Sequence, residues 1–337
     1  MSTVRPGPSH LINLSTALGT FEHARYATPR EEHGYCVDDV ARVAVFIARE
    51  PESEPLWELA RRSLRFLARS LNEGGWCRNR CSAQGVWHGP FTNDDCWGRL
   101  LWAAGTTVAR SSDDESVALA RDIFATAVGV RSPWPRAMAF GALGATDVLA
   151  IDPKNAGARA FVTAAGECLD RPVQSVEWFW PESRLTYANA VLPEALLAVG
   201  EALGNGARSE RALAQLRWLL SHEMIDGIVV PTPVGGLGPD DHHPRFDQQP
   251  IEVAALADAC ARAYEVTRDD VFADGLTAAI AWFHGANSLS VPMFDAVTGG
   301  GYDGLTVSGP NQNQGAESTL AMLMTMQYAS VVVGVSR

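Results

Sequence analysis

Lysine is almost absent from this chain. Lys154 is the only one in 337 residues, so nearly every positive charge is an arginine. Schiff-base chemistry would have to use Lys154, which sits in a plain loop, Asp152-Pro153-Lys154-Asn155. Long apolar runs are missing too: no stretch of about 18 apolar residues occurs, and Met1 to His10 lacks the apolar core of a signal peptide. The expectation is a soluble, cytoplasmic protein with no membrane partner. No glycine-rich phosphate loop follows a strand, which removes nucleotide-sugar Rossmann folds. The six cysteines are scattered, and Cys77-x3-Cys81 has no second pair with zinc-ligand spacing, so neither a disulfide framework nor a metal site is expected. No cofactor is expected either. A net charge of −12 argues against a nucleic-acid partner and suits an uncharged substrate.

What is present is a large apolar fraction, 47%, laid out with helical period nearly throughout. The pattern predicts twelve helices, at about 9–24, 38–50, 54–71, 95–110, 115–128, 134–150, 155–170, 187–203, 207–221, 248–266, 270–284 and 314–330. Two kinds alternate. Odd helices are amphipathic, as in Glu58-Leu59-Ala60-Arg61-Arg62-Ser63-Leu64, while even helices turn apolar all round after a polar start, as in Leu100-Leu101-Trp102-Ala103-Ala104 after Arg99. A helix apolar on every face is buried on every face. Six buried and six shielding helices predict an all-α (α/α)6 toroid, one domain spanning 1–337, rather than two stacked bundles.

In such a ring the even helices run parallel, and their polar starts meet at one mouth. These starts include His33-Gly34-Tyr35-Cys36-Val37-Asp38-Asp39-Val40-Ala41-Arg42, Asn93-Asp94-Asp95-Cys96-Trp97-Gly98-Arg99, Trp134-Pro135-Arg136, Trp178 through Tyr187-Ala188-Asn189 to Glu194, Asp247-Gln248-Gln249-Pro250-Ile251-Glu252, and Tyr302-Asp303 with Asn313-Gln314-Gly315-Ala316-Glu317. An Asp at a helix start is most often a cap. The last polar residues before the apolar runs, Arg42, Arg99, Arg136, Glu194, Glu252 and Glu317, are placed to pair as buried salt bridges, with Arg136 and Glu194 the foremost structural members. Neither role accounts for the amides and aromatic rings gathered at the same ends. Paired hydrogen-bonding groups for hydroxyls and flat rings for C–H faces are what sugar recognition needs. The candidate substrate-binding set is His33, Tyr35, Arg42, Asp94, Asp95, Trp97, Arg99, Trp178, Tyr187, Asn189, Asp247, Gln248, Gln249, Asp303, Asn313 and Glu317.

Hydrolysis of an acetal needs two carboxyl groups across the substrate. The preferred pair comes from opposite parts of the ring: Asp38 or Asp39, of which Asp38 is kept ionised by Arg42 one turn on, and Glu252, whose burial raises its pKa and makes it the acid. Asp247, Asp95 and Asp303 can replace either member. The cleft is expected to be open rather than a dead end.

The segments Thr28-Pro29-Arg30-Glu31-Glu32-His33-Gly34-Tyr35-Cys36-Val37-Asp38-Asp39, Phe246-Asp247-Gln248-Gln249-Pro250 and Asn313-Gln314-Gly315-Ala316-Glu317-Ser318-Thr319 resemble a group of six-hairpin (α/α)6 glycosidase-like proteins found beside, or fused to, bacterial glycosyltransferases. The resemblance implies an inverting endo-α-1,4-mannosidase of a cytoplasmic methylmannose polysaccharide, and the arginine-rich chain looks actinobacterial. Three alternatives stand beside it. A sugar epimerase would lean on paired histidines, of which His33 is the only one inside an inner-helix start. A prenyltransferase or terpene cyclase would need an aspartate-rich diphosphate motif whose spacing is absent. A sugar-binding toroid without catalysis is the third.

Overall fold

A computed structural model describes residues 5–51, 53–242 and 245–329. The described residues form twelve α-helices: α1 (Ser9–Asn13), α2 (Val37–Arg49), α3 (Trp57–Ser70), α4 (Asp95–Arg110), α5 (Asp114–Ala127), α6 (Pro135–Ile151), α7 (Ala156–Leu169), α8 (Val191–Leu203), α9 (Gly206–Glu223), α10 (Pro250–Thr267), α11 (Asp270–Phe283) and α12 (Ala316–Met326). The even helices form a closed ring: α2 packs on α4, α4 on α6, α6 on α8, α8 on α10, α10 on α12, and α12 returns to α2. The odd helices α3, α5, α7, α9 and α11 lie outside, and α1 rests on α12. This is the expected all-α, (α/α)6 toroid.

The two helix kinds behave as their patterns require. In α3 only a stripe is buried, Leu59, Ala60, Ser63, Leu64, Phe66, Leu67 and Ser70. In α2 every residue from Asp39 to Ala48 is buried. The connections are unequal. Inner-to-outer links are short, at 111–113, 152–155, 204–205 and 268–269, whereas the outer-to-inner links at 71–94, 170–190, 224–249 and 284–315 are long. Long loops carrying short antiparallel hairpins therefore collect at the N-terminal ends of the inner helices, where they build the rim of a cleft.

One helix departs from expectation. The segment 9–24 is helical only to Asn13. Beyond it Ser15 bonds back to the Leu11 carbonyl, and Thr16 Oγ1 accepts the Leu18 amide. Such hydroxyls compete with the helical ladder and turn the chain. The sixth outer helix is thus one short piece, and Glu22 and His23 join the rim. Helix α8 starts at Val191 rather than 187, since Ala188 has φ +43°, outside the right-handed helical region. Residue 330, the end of the last expected helix, lies outside the described residues.

Helices α4 and α6 approach most closely, through glycine. A methyl group on Gly144 would lie 2.3 Å from the Leu101 carbonyl oxygen, and one on Gly105 would lie 2.1 Å from the Gly144 carbonyl oxygen. Neither obstacle is a side chain that can swing away. Gly144→Ala is therefore expected to cost about 1–3 kcal/mol, the usual cost of overpacking, read as a lower midpoint in denaturant unfolding. An unchanged midpoint would show that the two helices can separate freely.

Candidate active site

The outer helices α5, α7, α9 and α11 each begin with a side-chain cap, from Asp113, Asn155, Asn205 and Asp269. None of the six inner helices does. Asp94 occupies the N-cap position of α4 without capping it. Three acidic residues at the inner starts, Asp38, Glu194 and Glu317, instead pair with arginines of neighbouring helices.

Arg99 on α4 donates from Nη1 to Asp38 Oδ1 on α2, at 2.6 Å. Arg42 donates to Asp39 at 2.5 Å within α2 and to Glu317 on α12 at 2.8 Å. Arg136 on α6 holds Glu182 with both terminal nitrogens at 2.9 Å and donates from Nε to the Tyr187 carbonyl at 2.6 Å. The Tyr187 hydroxyl donates to Asp95, closing the circuit back to α4. Below Arg42 and Arg99 the barrel is filled: only about 30 Å³ stays open among Trp102, Phe140, Leu143, Ala254 and Met324. The two guanidinium groups thus form the floor of the mouth, Arg99 lying over the Phe140 ring at 4.4 Å.

Above this floor the cleft has two lobes that share Asp38 and Arg99. One, of about 390 Å³, is lined by Glu22, His23, Asp38, Asp39, Arg42, Arg80, Gln249, Asp303, Asn311 and Glu317, among others. The other, of about 550 Å³, is lined by Asn79, Asp94, Asp95, Trp134, Arg136, Glu182 and Tyr187, among others. Trp134 and Tyr187 are exposed. The lining is carboxylate, amide, guanidinium and aromatic.

Asp38 and Glu252 sit in opposite electrostatic settings. Burial opposes ionisation of Asp38, but Arg99 and Arg42 outweigh it and hold the carboxyl below its ordinary range. The ion-pair partner is Arg99, not Arg42 as expected; Arg42 binds Asp39, one residue along. Asp38 faces both lobes, whereas Asp39 is 2% exposed and also accepts from the Cys36 thiol. Glu252 is 4% exposed. Burial and then the charge of Glu223 push its pKa up to about 8, against the opposing pull of the Ala188 and Asn189 amides and Arg136. Those amides donate to its two oxygens at 2.6 and 3.4 Å. On the ring α10 is separated from α2 by α12, so the two carboxyls are next-but-one neighbours rather than diametrically opposed.

The remaining expected residues divide. Asp39, Arg42, Asp94, Asp95, Arg99, Tyr187, Gln249, Asp303 and Glu317 line the lobes. Asp303 also ties α12 in place, accepting from the Gly315 amide and the Ser318 hydroxyl. Tyr35 is buried, stacked on Phe21, with its hydroxyl on Thr16. Trp97 is buried in full and packs on Phe161. Gln248 is buried, donating to the Arg245 carbonyl and Ser288. Asn189 is buried and accepts from the Thr186 amide. Trp178 faces a separate depression with His222 and Arg245, Asp247 is exposed outside both lobes, and Asn313 lines a further trough beside the cleft. His33 is exposed at the rim, its Nδ1 3.1 Å from that of His23. Glu194 and Arg136 do form structural ion pairs, but with Arg262 and Glu182, which lie outside the six charges expected to pair with one another; among those six, Arg42 pairs with Glu317.

Glu22, His23, Asn79 and Arg80 were not anticipated. The first two were hidden by the helix expected over 9–24. Asn79 and Arg80 come from a hairpin in which Arg80 pairs with Cys36, and Asn79 accepts the first amide of α2. The polar run Asn79-Arg80 in a loop returning to the mouth was the available signal.

No protein-family model matches the chain, and no curated protein does. Among solved structures it is similar to a sugar epimerase from a ruminal bacterium (TM-score 0.73, 12% identity, 95% of each chain covered). It is similar to the cellobiose 2-epimerase of Bacillus thermoamylovorans (0.68, 11%, 95% of each). It is also similar to a GH76 α-mannanase of Bacteroides thetaiotaomicron (0.61, 10%, 90% of this chain and 87% of that one). The fold is therefore that of the six-hairpin toroids, whose members include epimerases and glycosidases.

Because folded Glu252 keeps its proton up to about pH 8 while an ordinary glutamate loses it near 4.5, the folded state binds more protons across that window. Stability then falls as pH rises from about 4.5 to about 8. Glu252→Gln carries no such charge, so its melting temperature should fall less than that of the wild type between pH 5 and pH 8. Parallel slopes in thermal melts would show that Glu252 is ionised in the fold.

Proposed function

We propose that this protein is a glycoside hydrolase whose mouth binds an uncharged glycan chain and cleaves an internal bond with two carboxyl groups. The contrast between Asp38, held ionised by Arg99, and Glu252, held protonated by burial, carries this reading. Asp38 activates the attacking water, and Glu252 protonates the departing glycosidic oxygen. Glu252 lines neither lobe and accepts the Ala188 and Asn189 amides, so this role requires the Tyr187–Asn189 segment to move when glycan binds. The resemblance of the motifs to the mycobacterial methylmannose polysaccharide hydrolase supports α-1,4-linked mannose as the sugar and inversion as the outcome. The α-mannanase among the structural neighbours is in keeping with that choice. The same resemblance supports a cytoplasmic setting, with 1–337 acting as one catalytic unit.

A sugar epimerase is the second reading, favoured by the two epimerase neighbours and by the His23–His33 contact. Epimerisation removes a proton from one face of the sugar and returns one to the other. Two imidazoles 3.1 Å apart on the same rim do not flank a sugar, which is why the hydrolase reading is preferred.

Asp38→Asn is expected to slow hydrolysis of α-1,4-manno-oligosaccharides by about 10²–10⁴-fold, the range for loss of a general base, with the fold intact by circular dichroism. Glu252→Gln should lose a similar factor on these substrates yet keep much of its rate on an aryl glycoside whose leaving group needs no proton. NMR of the first product would show the inverted anomer. Wild-type rates in both variants would sink the assignment, and deuterium entering at C2 of a reducing sugar would instead establish the epimerase.

A further inference from the structure

Beside the cleft runs a third hollow, of about 970 Å³, between the hairpin at 24–29 and the segment 310–313. Asn311 lines both this trough and the Asp38–Glu317 lobe, so the two adjoin there. Tyr26 stands at the hairpin tip, 59% exposed. Its placement is unusual for an exposed aromatic residue. The backbone has φ +50°, a conformation that non-glycine residues adopt at a cost. Two bonds from the chain that forms the far wall hold it there: Asn313 Oδ1 accepts the Tyr26 amide at 3.0 Å, and the Gln314 amide donates to the Tyr26 carbonyl at 3.0 Å. Asn13 Nδ2 fixes the next carbonyl, that of Ala27, at 3.2 Å.

A solvent-exposed ring on a pinned backbone is a preorganised stacking surface, since little backbone freedom is left to lose on binding. Of the charged residues that line the trough, Arg30 donates to Glu32 at 2.9 Å, and Arg25 is the third. The trough also completes a pattern. Three adjoining hollows run across the mouth, with Asp38 shared by the second and third, Tyr26 at one end, and Trp134 and Tyr187 at the other.

We infer that the Tyr26 trough is a distal subsite for an uncharged oligosaccharide. A sugar unit stacks on the Tyr26 ring, with Asn311 and Gln312 available to its hydroxyls, while the scissile bond lies over Asp38. The inference rests on the hydrolase reading for the position of the bond, but not for the binding. A chain long enough to reach the trough gains contact that a short one lacks.

The test compares wild type, Tyr26→Ala and Tyr26→Phe on short and long manno-oligosaccharides. Tyr26→Ala should raise KM for the long chains about tenfold, the factor that corresponds to about 1.4 kcal/mol, and leave the short ones unchanged. Tyr26→Phe, which keeps the ring, should restore the wild-type value. Calorimetric titration of long manno- and gluco-oligosaccharides into Asp38→Asn, with and without Tyr26→Ala, reads binding apart from turnover. If no oligosaccharide is cleaved but binding still depends on Tyr26, the subsite stands and the hydrolase reading falls. If cleavage occurs and Tyr26→Ala leaves the chain-length dependence intact, the subsite falls while the hydrolase stands. The subsite also falls if no oligosaccharide binds.

Discussion

Three buried guanidinium groups organise the mouth of this toroid. Arg42 and Arg99 each reach from one inner helix to another, to Glu317 and Asp38, and Arg136 reaches from α6 to Glu182 in the loop before α8. The planar fork lets one side chain satisfy two acceptors in fixed geometry, as Arg136 does with both oxygens of Glu182. A lysine would offer a point charge on a flexible stem. The near absence of lysine is thus matched to the site, whatever its genomic origin. Removing one partner of such a pair strands the other in low dielectric, at a cost of about 3–5 kcal/mol. The ring closes, and its polar starts stay in register, under that penalty.

The same arrangement separates the two carboxyls chemically. Asp38 borders open space and has a guanidinium beside it. Glu252 is enclosed, with backbone amides for company and Glu223 as a further negative influence. Amide donors alone would favour the charged form of Glu252, but burial outweighs them. One fold thereby holds an ionised and a protonated carboxyl two helices apart, without a metal among the roles assigned. The uncapped inner helices contribute as well. By leaving cap duty to hairpins and distant residues, as Asn79 does for α2, they free their own acids to face the cleft.

Much of this was legible in the chain. The alternation of all-round apolar and amphipathic helices predicts the ring, and ten of the helix positions lie within a few residues of those expected. What misled was local. Ser15 and Thr16 turn the chain by side-chain hydrogen bonds, so a helical pattern over 9–24 yields a single short helix and a rim. Tyr35, Trp97 and Gln248 share helix starts with cleft residues, yet their side chains point into the core. Period and position say which end of a helix a residue occupies. They do not say which way its side chain points once the helices are packed.

The linear pattern by itself determined that the protein is an all-α toroid with its polar chemistry gathered at one end, because helical period and all-round apolarity are local properties. Tertiary structure alone decided which arginine serves which acid. Asp38 belongs to Arg99 on the next helix and not to Arg42 one turn away, because across the ring the neighbouring helix places its guanidinium closer to the carboxylate than the turn of α2 does. It also decided that Tyr26, an unremarkable residue in a short loop, stands fixed at the edge of the cleft. That placement depends on Asn313 and Gln314, almost three hundred residues away, and no local pattern encodes a bond of that range.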